Sequence, residues 1–153
     1  MGKPVRILLI SDLRSDPSPR LEEDLSGAIE AVKPDLILFA GDAVNSPDGL
    51  AVFKTCTARI VVLAPTFAVR GNWDDRRWGD LDLFGGTGVR ELTGQAAEIA
   101  GIRLEGAGFG GGAVEEGKAF RVFLYHTPDE FERVKGRADL YCAGHTHGGQ
   151  VAL

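Results

Sequence analysis

The sequence is short of the residues that usually signal a specialised chain. Its 153 residues include two cysteines, one methionine and three histidines. Cys56 and Cys142 lie far apart and belong to no Cys-x-x-Cys pair, which excludes a disulfide scaffold and leaves two buried thiols as the expectation. No apolar stretch runs much past about six residues, against the ~20 that a membrane-crossing helix needs. Met1-Gly2-Lys3-Pro4 leads straight into an apolar run, without the charged start, long apolar region or small-residue cleavage site of a signal peptide. A cytoplasmic protein with no transmembrane segment is expected. Basic residues are also scarce: 17 Lys plus Arg against 22 Asp plus Glu give a net charge of −5, with no basic stripe. That balance argues against bulk binding to nucleic-acid phosphates.

What is present is globular in composition, 44% hydrophobic and 25% charged. The length suits one domain, 1–153, burying about two thirds of the surface its unfolded form exposes. Residues 5–11 are a largely apolar run interrupted by Arg6, read as a strand covered on both faces. Pro19 precedes a helical stripe of Leu21, Leu25, Ala28, Ile29 and Val32, ended by Lys33-Pro34-Asp35. Residues 36–40 form a second strand, so a parallel pair with a right-handed crossover is expected. Val52, Phe53, Cys56, Ile60 and Leu63 read as a helix, although the β-branched residues among them would also suit a strand. Further strands are expected at 66–69, 89–92, 96–99, 102–104, 120–125 and 140–143, with short helices at 76–84 and 130–135. Ala100-Gly101 suits a tight hairpin. The glycine-rich stretch 106–112 is followed by no Lys-Ser/Thr and no helix, and so reads as a loop rather than a phosphate cradle.

Five of these strands end on ligand-type residues: Asp12, Asp42, Asn72, His126, and His145-Thr146-His147. Each alone has an ordinary explanation as a turn residue or helix cap. Together they matter, because strand ends in one sheet converge on one pocket and all three histidines fall among them. Carboxylate, amide oxygen and imidazole are donors that suit Mn, Fe or Zn.

Ser11-Asp12-Leu13-Arg14, Gly41-Asp42, Gly71-Asn72-Trp73-Asp74, Tyr125-His126 and Gly-His-Thr-His-Gly-Gly-Gln at 144–150 resemble, in order, the motifs of the calcineurin-like metallophosphoesterase superfamily. The last motif is the most specific, and is similar to a branch of membrane-associated lipid or phosphodiester hydrolases. The resemblance implies a four-layer α/β/β/α sandwich of two mixed sheets with a binuclear site at the strand ends. It implies that Asp42 bridges two metals, one held by Asp42, Asn72, His126 and His145, the other by Asp12, Asp42, His147 and a further histidine. At that last position this chain has Arg14. A second family histidine, the one that protonates or stabilises the leaving oxygen, is replaced by Trp73.

A guanidinium cannot ligate a cation, and an indole N–H does not titrate usefully. Three states of the altered half-site are open. It binds a metal weakly through Asp12, Asp42 and His147. Alternatively, Arg14 pairs with Asp12 and offers its fork to a phosphate, or the site keeps the fold and has lost the chemistry. Asp74 reads as a helix cap rather than a substitute acid. The expected function is hydrolysis of a phosphodiester or phosphomonoester, from a small molecule or lipid, by metal-activated water without a phosphoenzyme. Arg14, Asn72, Trp73 and His126 would be its catalytic residues, with one or two Mn, Fe or Zn ions as cofactor. The alternative is an impaired relative that binds a phosphorylated ligand or a protein. Because the family pattern usually continues past the final motif, the second sheet is expected to lack strands at its C-terminal end. A homo-oligomer covering the exposed edge is a corresponding expectation.

Overall fold

A computed structural model describes residues 4–108 and 119–147 of the chain. Strand β1 (Ile7–Ile10), helix α1 (Glu22–Val32) and strand β2 (Leu36–Phe39) form the expected parallel unit. Glu22, Glu23 and Asp24 in the first turn of α1 suit the positive end of its dipole. Lys33, which precedes Pro34 and so is disfavoured from continuing the helix, closes it in a left-handed conformation. The buried stripe of α1 is narrower than expected. Ile29 and the half-buried Leu25 pack inward in one cluster with Leu8, Ile37 and Cys56, while Leu21 and Val32 are exposed.

Helix α2 (Leu50–Ile60) settles the ambiguous segment as a helix, with Phe53, Cys56 and Ile60 buried. Its β-branched threonines fit because Thr55 and Thr57 donate their hydroxyls to the carbonyls of Ala51 and Phe53, one turn back. Strand β3 (Thr66–Ala68), helix α3 (Asn72–Trp78) and the short strand β4 (Arg90–Glu91) follow. Helix α3 begins four residues earlier than the apolar pattern indicates, since polar side chains at the site, rather than an apolar stripe, fix its start. Strands β1 to β4 are parallel and lie in chain order. Right-handed crossovers that always step the same way put every helix on one face and leave the other free for a second sheet.

That second sheet holds β5 (Ala96–Ile99), β6 (Ile102–Gly106), β7 (Phe120–Leu124) and β8 (Leu140–Cys142), with β5 antiparallel and the rest parallel. Ala100 and Gly101 both have positive φ, as a tight two-residue hairpin requires. Helix α4 (Phe131–Val134) covers its outer face. Leu36, Leu38, Ala40, Phe67 and Val69 of the first sheet meet Leu104, Val122, Leu124 and Cys142 of the second. Ile37, facing the other way, packs on α1 and α2. The result is the expected four-layer α/β/β/α sandwich. Its first sheet is wholly parallel and its second mixed among the described residues. Burial pushes the thiols of Cys56 and Cys142 up to about 11, and both are free. No helix among the described residues is long and apolar enough to cross a membrane. The glycine-rich stretch from 109 on and the motif residues Gly148, Gly149 and Gln150 lie outside the described residues.

Leu104 has no exposed surface and sits between the two sheets. Leu104→Ala should destabilise the protein by about 2–5 kcal/mol. Urea unfolding followed by circular dichroism measures this, and a change below about 0.5 kcal/mol would show that the sheets do not close on this residue.

Candidate metal centre at the strand ends

Because β1, β2 and β3 are parallel, their carboxyl ends lie side by side, and the pairing runs on past the strands. Asp12 N–H donates to the Gly41 carbonyl, Arg14 N–H to that of Asp42, and Ser15 N–H to that of Ala43, at 2.9–3.0 Å. Asp12, Arg14, Asp42, His145 and His147 all have φ between 46° and 68°. The other non-glycine residues in this left-handed region among those described, Lys33 and Ala100, close a helix and a hairpin. Five candidate site residues therefore adopt a conformation that costs an L-residue about 1 kcal/mol or more. Gly71 and Gly144 precede Asn72 and His145 for a related reason. A methyl group on either would collide with the Asp42 carboxylate or the Ser11 hydroxyl respectively.

Asp42 is fully buried. Its Oδ1 accepts the Trp73 backbone N–H at 3.0 Å and lies 3.5 Å from His126 Nε2, while its Oδ2 accepts from Arg14 Nη2 at 2.7 Å. His126, also fully buried, has Nδ1 2.6 Å from the Ala40 carbonyl. A carbonyl can only accept, so Nδ1 carries a proton, and in the neutral ring this leaves the Nε2 lone pair facing the site. His145 Nδ1 lies 3.1 Å from that Nε2. Asp12 Oδ2 accepts the Ser11 hydroxyl at 2.6 Å and the His145 backbone N–H at 2.9 Å, and Asp12 Oδ1 lies 3.4 Å from His147 Nε2. Ligand atoms of Asp12, Asp42 and His126 all fall within 4.8 Å of one another. Asp12 Oδ1 and Asn72 Oδ1 are buried with no hydrogen-bond partner among the described residues. Two unmet acceptor oxygens beside a buried carboxylate and a lone-pair imidazole fit a divalent cation.

Six candidate metal ligands from the sequence thus share one neighbourhood: Asp12, Asp42, Asn72, His126, His145 and His147. Arg14 lies there too, but its partner is Asp42 rather than Asp12. The register that continues past β1 and β2 sets Arg14 beside Asp42, whereas Asp12 turns toward the His145 loop. Trp73 caps the guanidinium: Arg14 Cζ lies 4.9 Å from its ring centroid, and Arg77 Cζ lies 4.9 Å from the same centroid. Asp74 does more than cap a helix. Its buried carboxylate accepts the N–H groups of Asp42, Ala43 and Gly71 at 2.8–2.9 Å, fixing the β2 turn to the start of α3. Burial pushes its carboxyl above the ordinary carboxylate range against the pull of these bonds. Ser11 and Arg77 were not singled out by the sequence pattern. Ser11 appeared only as the first residue of the Ser11-Asp12-Leu13-Arg14 motif, and Arg77 carried no signal.

Facing sheets whose strand ends gather two aspartates, an amide oxygen and three imidazoles define an α/β/β/α sandwich with a candidate metal site. The family model described as calcineurin-like phosphoesterase matches residues 5–149, and the chain belongs to that family. It is 32% identical to the protein named Phosphodiesterase YaeI of Escherichia coli (strain K12), over 98% of this chain and 63% of that protein. It is 30% identical to the protein named Uncharacterized metallophosphoesterase YkuE of Bacillus subtilis (strain 168), over 86% of this chain and 54% of that one. The chain therefore spans less than two thirds of the length of these curated relatives. The Thermus thermophilus protein TT1561 shares the fold, with a TM-score of 0.62 and 16% identity over 92% of this chain and 81% of that one.

Asp74→Asn would set an amide NH₂ against backbone N–H donors that the carboxylate now accepts. It should destabilise the protein by about 1–3 kcal/mol and, where the site takes a divalent cation, weaken that binding by about 10–100-fold. Thermal unfolding with and without Mn, together with metal titration, measures both. An unchanged metal affinity would show that another group holds the Asp42 turn.

Proposed function

We propose that the chain is a metal-dependent phosphoesterase acting on a phosphodiester of a small molecule or lipid. The observation that supports this most directly is the convergence of Asp12, Asp42 and His126 within 4.8 Å, beside unmet acceptor oxygens on Asp12 and Asn72. Asp42, Asn72, His126 and His145 would hold a divalent cation, with Asp12 and His147 alongside. Such an ion, when bound, supplies Lewis acidity toward a phosphoryl oxygen and lowers the pKa of water. The chain's own groups prepare the site. The Ala40 carbonyl keeps His126 in the tautomer whose Nε2 is a ligand, and the Trp73 backbone N–H orients Asp42 Oδ1. A groove lined by Ser11, Asp12, Gly144, Thr146 and His147 opens between the ends of β1 and β8 and admits a substrate. Trp73 cannot protonate a leaving oxygen, so substrates with good leaving groups are favoured. The name of the Escherichia coli relative supports a diester over a monoester.

Asp42→Asn should lower hydrolysis of an aryl phosphodiester by at least about 10²–10³-fold and empty the metal site. Metal analysis after purification with Mn or Zn checks it, and a variant that keeps its ion refutes the assignment. The contact of Arg14 with Asp42 also supports a second reading, an impaired relative that binds a phosphorylated ligand without turnover. The Arg14→His, Trp73→His double variant separates the two. Gain of diester hydrolysis where the native chain shows none establishes the second reading. Activity in the native chain establishes the first.

A further inference from the structure

The positions at which this chain departs from the family motifs are not independent, because the two side chains touch. The Arg14 guanidinium lies over the Trp73 indole, and the Trp73 backbone is itself tied to Asp42 Oδ1. The opposite oxygen, Oδ2, is 2.7 Å from Arg14 Nη2. A carboxylate can bridge two metal ions through both oxygens or through one, and here the two-oxygen mode is blocked because Oδ2 is committed to a guanidinium. An ion bonded to that oxygen at the usual ~2.0–2.2 Å would stand against a full positive charge.

The ligand count points the same way. One side of the site has Asp42 Oδ1, Asn72 Oδ1, His126 Nε2 and His145 Nδ1. The other is left with Asp12 Oδ1 and His147 Nε2, since Asp12 Oδ2 is taken by the Ser11 hydroxyl and the His145 N–H. A second ion there would reach the three protein ligands that catalytic sites of this kind use only by sharing Asp42 Oδ1, next to the Arg14 guanidinium. Arg14 also has a donor to spare: its Nε is buried without an acceptor among the described residues, and it lines a groove together with Asp12 and His147. A phosphoryl oxygen is the acceptor that a guanidinium fork matches best. Arg77, which is exposed, also lies against the indole, its Cζ 4.9 Å from the ring centroid.

We propose that Arg14, shelved on Trp73, replaces one of the two metal ions, so that the site takes a single divalent cation and completes the binding of phosphate with a guanidinium. Arg14 then contacts the substrate, and Trp73 is a positioning residue that acts through it. This inference rests on the phosphoesterase reading and narrows it. The test is the stoichiometry and spin state of bound Mn(II). The native chain, saturated with Mn and desalted, should retain one ion and give the six-line resonance of an isolated ion. Arg14→His should take up a second ion and give a spin-coupled spectrum. Two coupled ions in the native chain overturn this proposal alone, and that measurement needs no variant. No retained ion in either protein overturns the phosphoesterase reading together with it. Inorganic phosphate, titrated into the Mn-loaded native chain by calorimetry, should bind about tenfold or more weakly after Arg14→Gln. It should weaken likewise after Trp73→Ala and recover in Trp73→Phe, which keeps an aromatic shelf. Phosphate affinity unchanged by Arg14→Gln overturns the role of the guanidinium.

Discussion

The structure turns on the burial of one charge, the carboxylate of Asp42. A carboxylate without solvent exposure is tolerated only where neighbours replace its water, and here every neighbour comes from a different part of the chain. Arg14 comes from the loop after β1, the Trp73 N–H from the first turn of α3, and His126 from the end of β7 in the opposite sheet. Asp74, another buried carboxylate, holds the backbone of Asp42 from α3. Satisfying this charge therefore fastens the two sheets and α3 together at one end of the sandwich. A group that serves chemistry is in this way also a structural bolt, so removing it disturbs both.

The fold creates the place for this charge before any ligand is considered. Parallel strands in chain order bring consecutive carboxyl ends side by side, and a strand can project a functional side chain off the sheet edge only where the chain turns away. The turn is made in the left-handed region at Asp12, Arg14, Asp42, His145 and His147. Aspartate and histidine tolerate that conformation better than most side chains, whereas arginine gains little from it. Strain of this kind persists where surrounding contacts fix it, and the pairing of the Asp12–Ser15 and Gly41–Ala43 backbones supplies them.

Much of this was legible in the sequence because it is local. Apolar runs ending on an aspartate or histidine marked β1, β2 and β7, and the side of the fold on which their ends meet followed from parallel pairing. The neighbourhood of Asp12 with Asp42, and of His126 with His145, was readable for the same reason, but these pairs end strands of two stacked sheets rather than of one. What could not be read depended on register and distance. Arg14 lies two residues from Asp12 and 28 from Asp42, and nothing local reveals that the β1–β2 register continues into the loops and pairs it with the latter. The start of α3 was misplaced because Asp74 fixes it through backbone donors of another loop. The stripe of α1 was read too wide because helical spacing says nothing of what packs beneath the helix.

The proposed exchange of an ion for a guanidinium also changes what the site would hold best. Asp12 and Asp42 contribute two negative charges, and Asn72 and the imidazoles contribute none as ligands. With two divalent ions and no arginine the groups around a phosphate would sum to +2, a match for a phosphomonoester dianion. With one divalent ion and Arg14 they sum to +1, a match for the single charge of a phosphodiester. A diester also needs less help from an acid when its leaving group is good, which agrees with an indole where a titrating group would otherwise stand. The substitutions at Arg14 and Trp73 thus point to one substrate preference by separate physical routes, charge balance for the first and proton supply for the second.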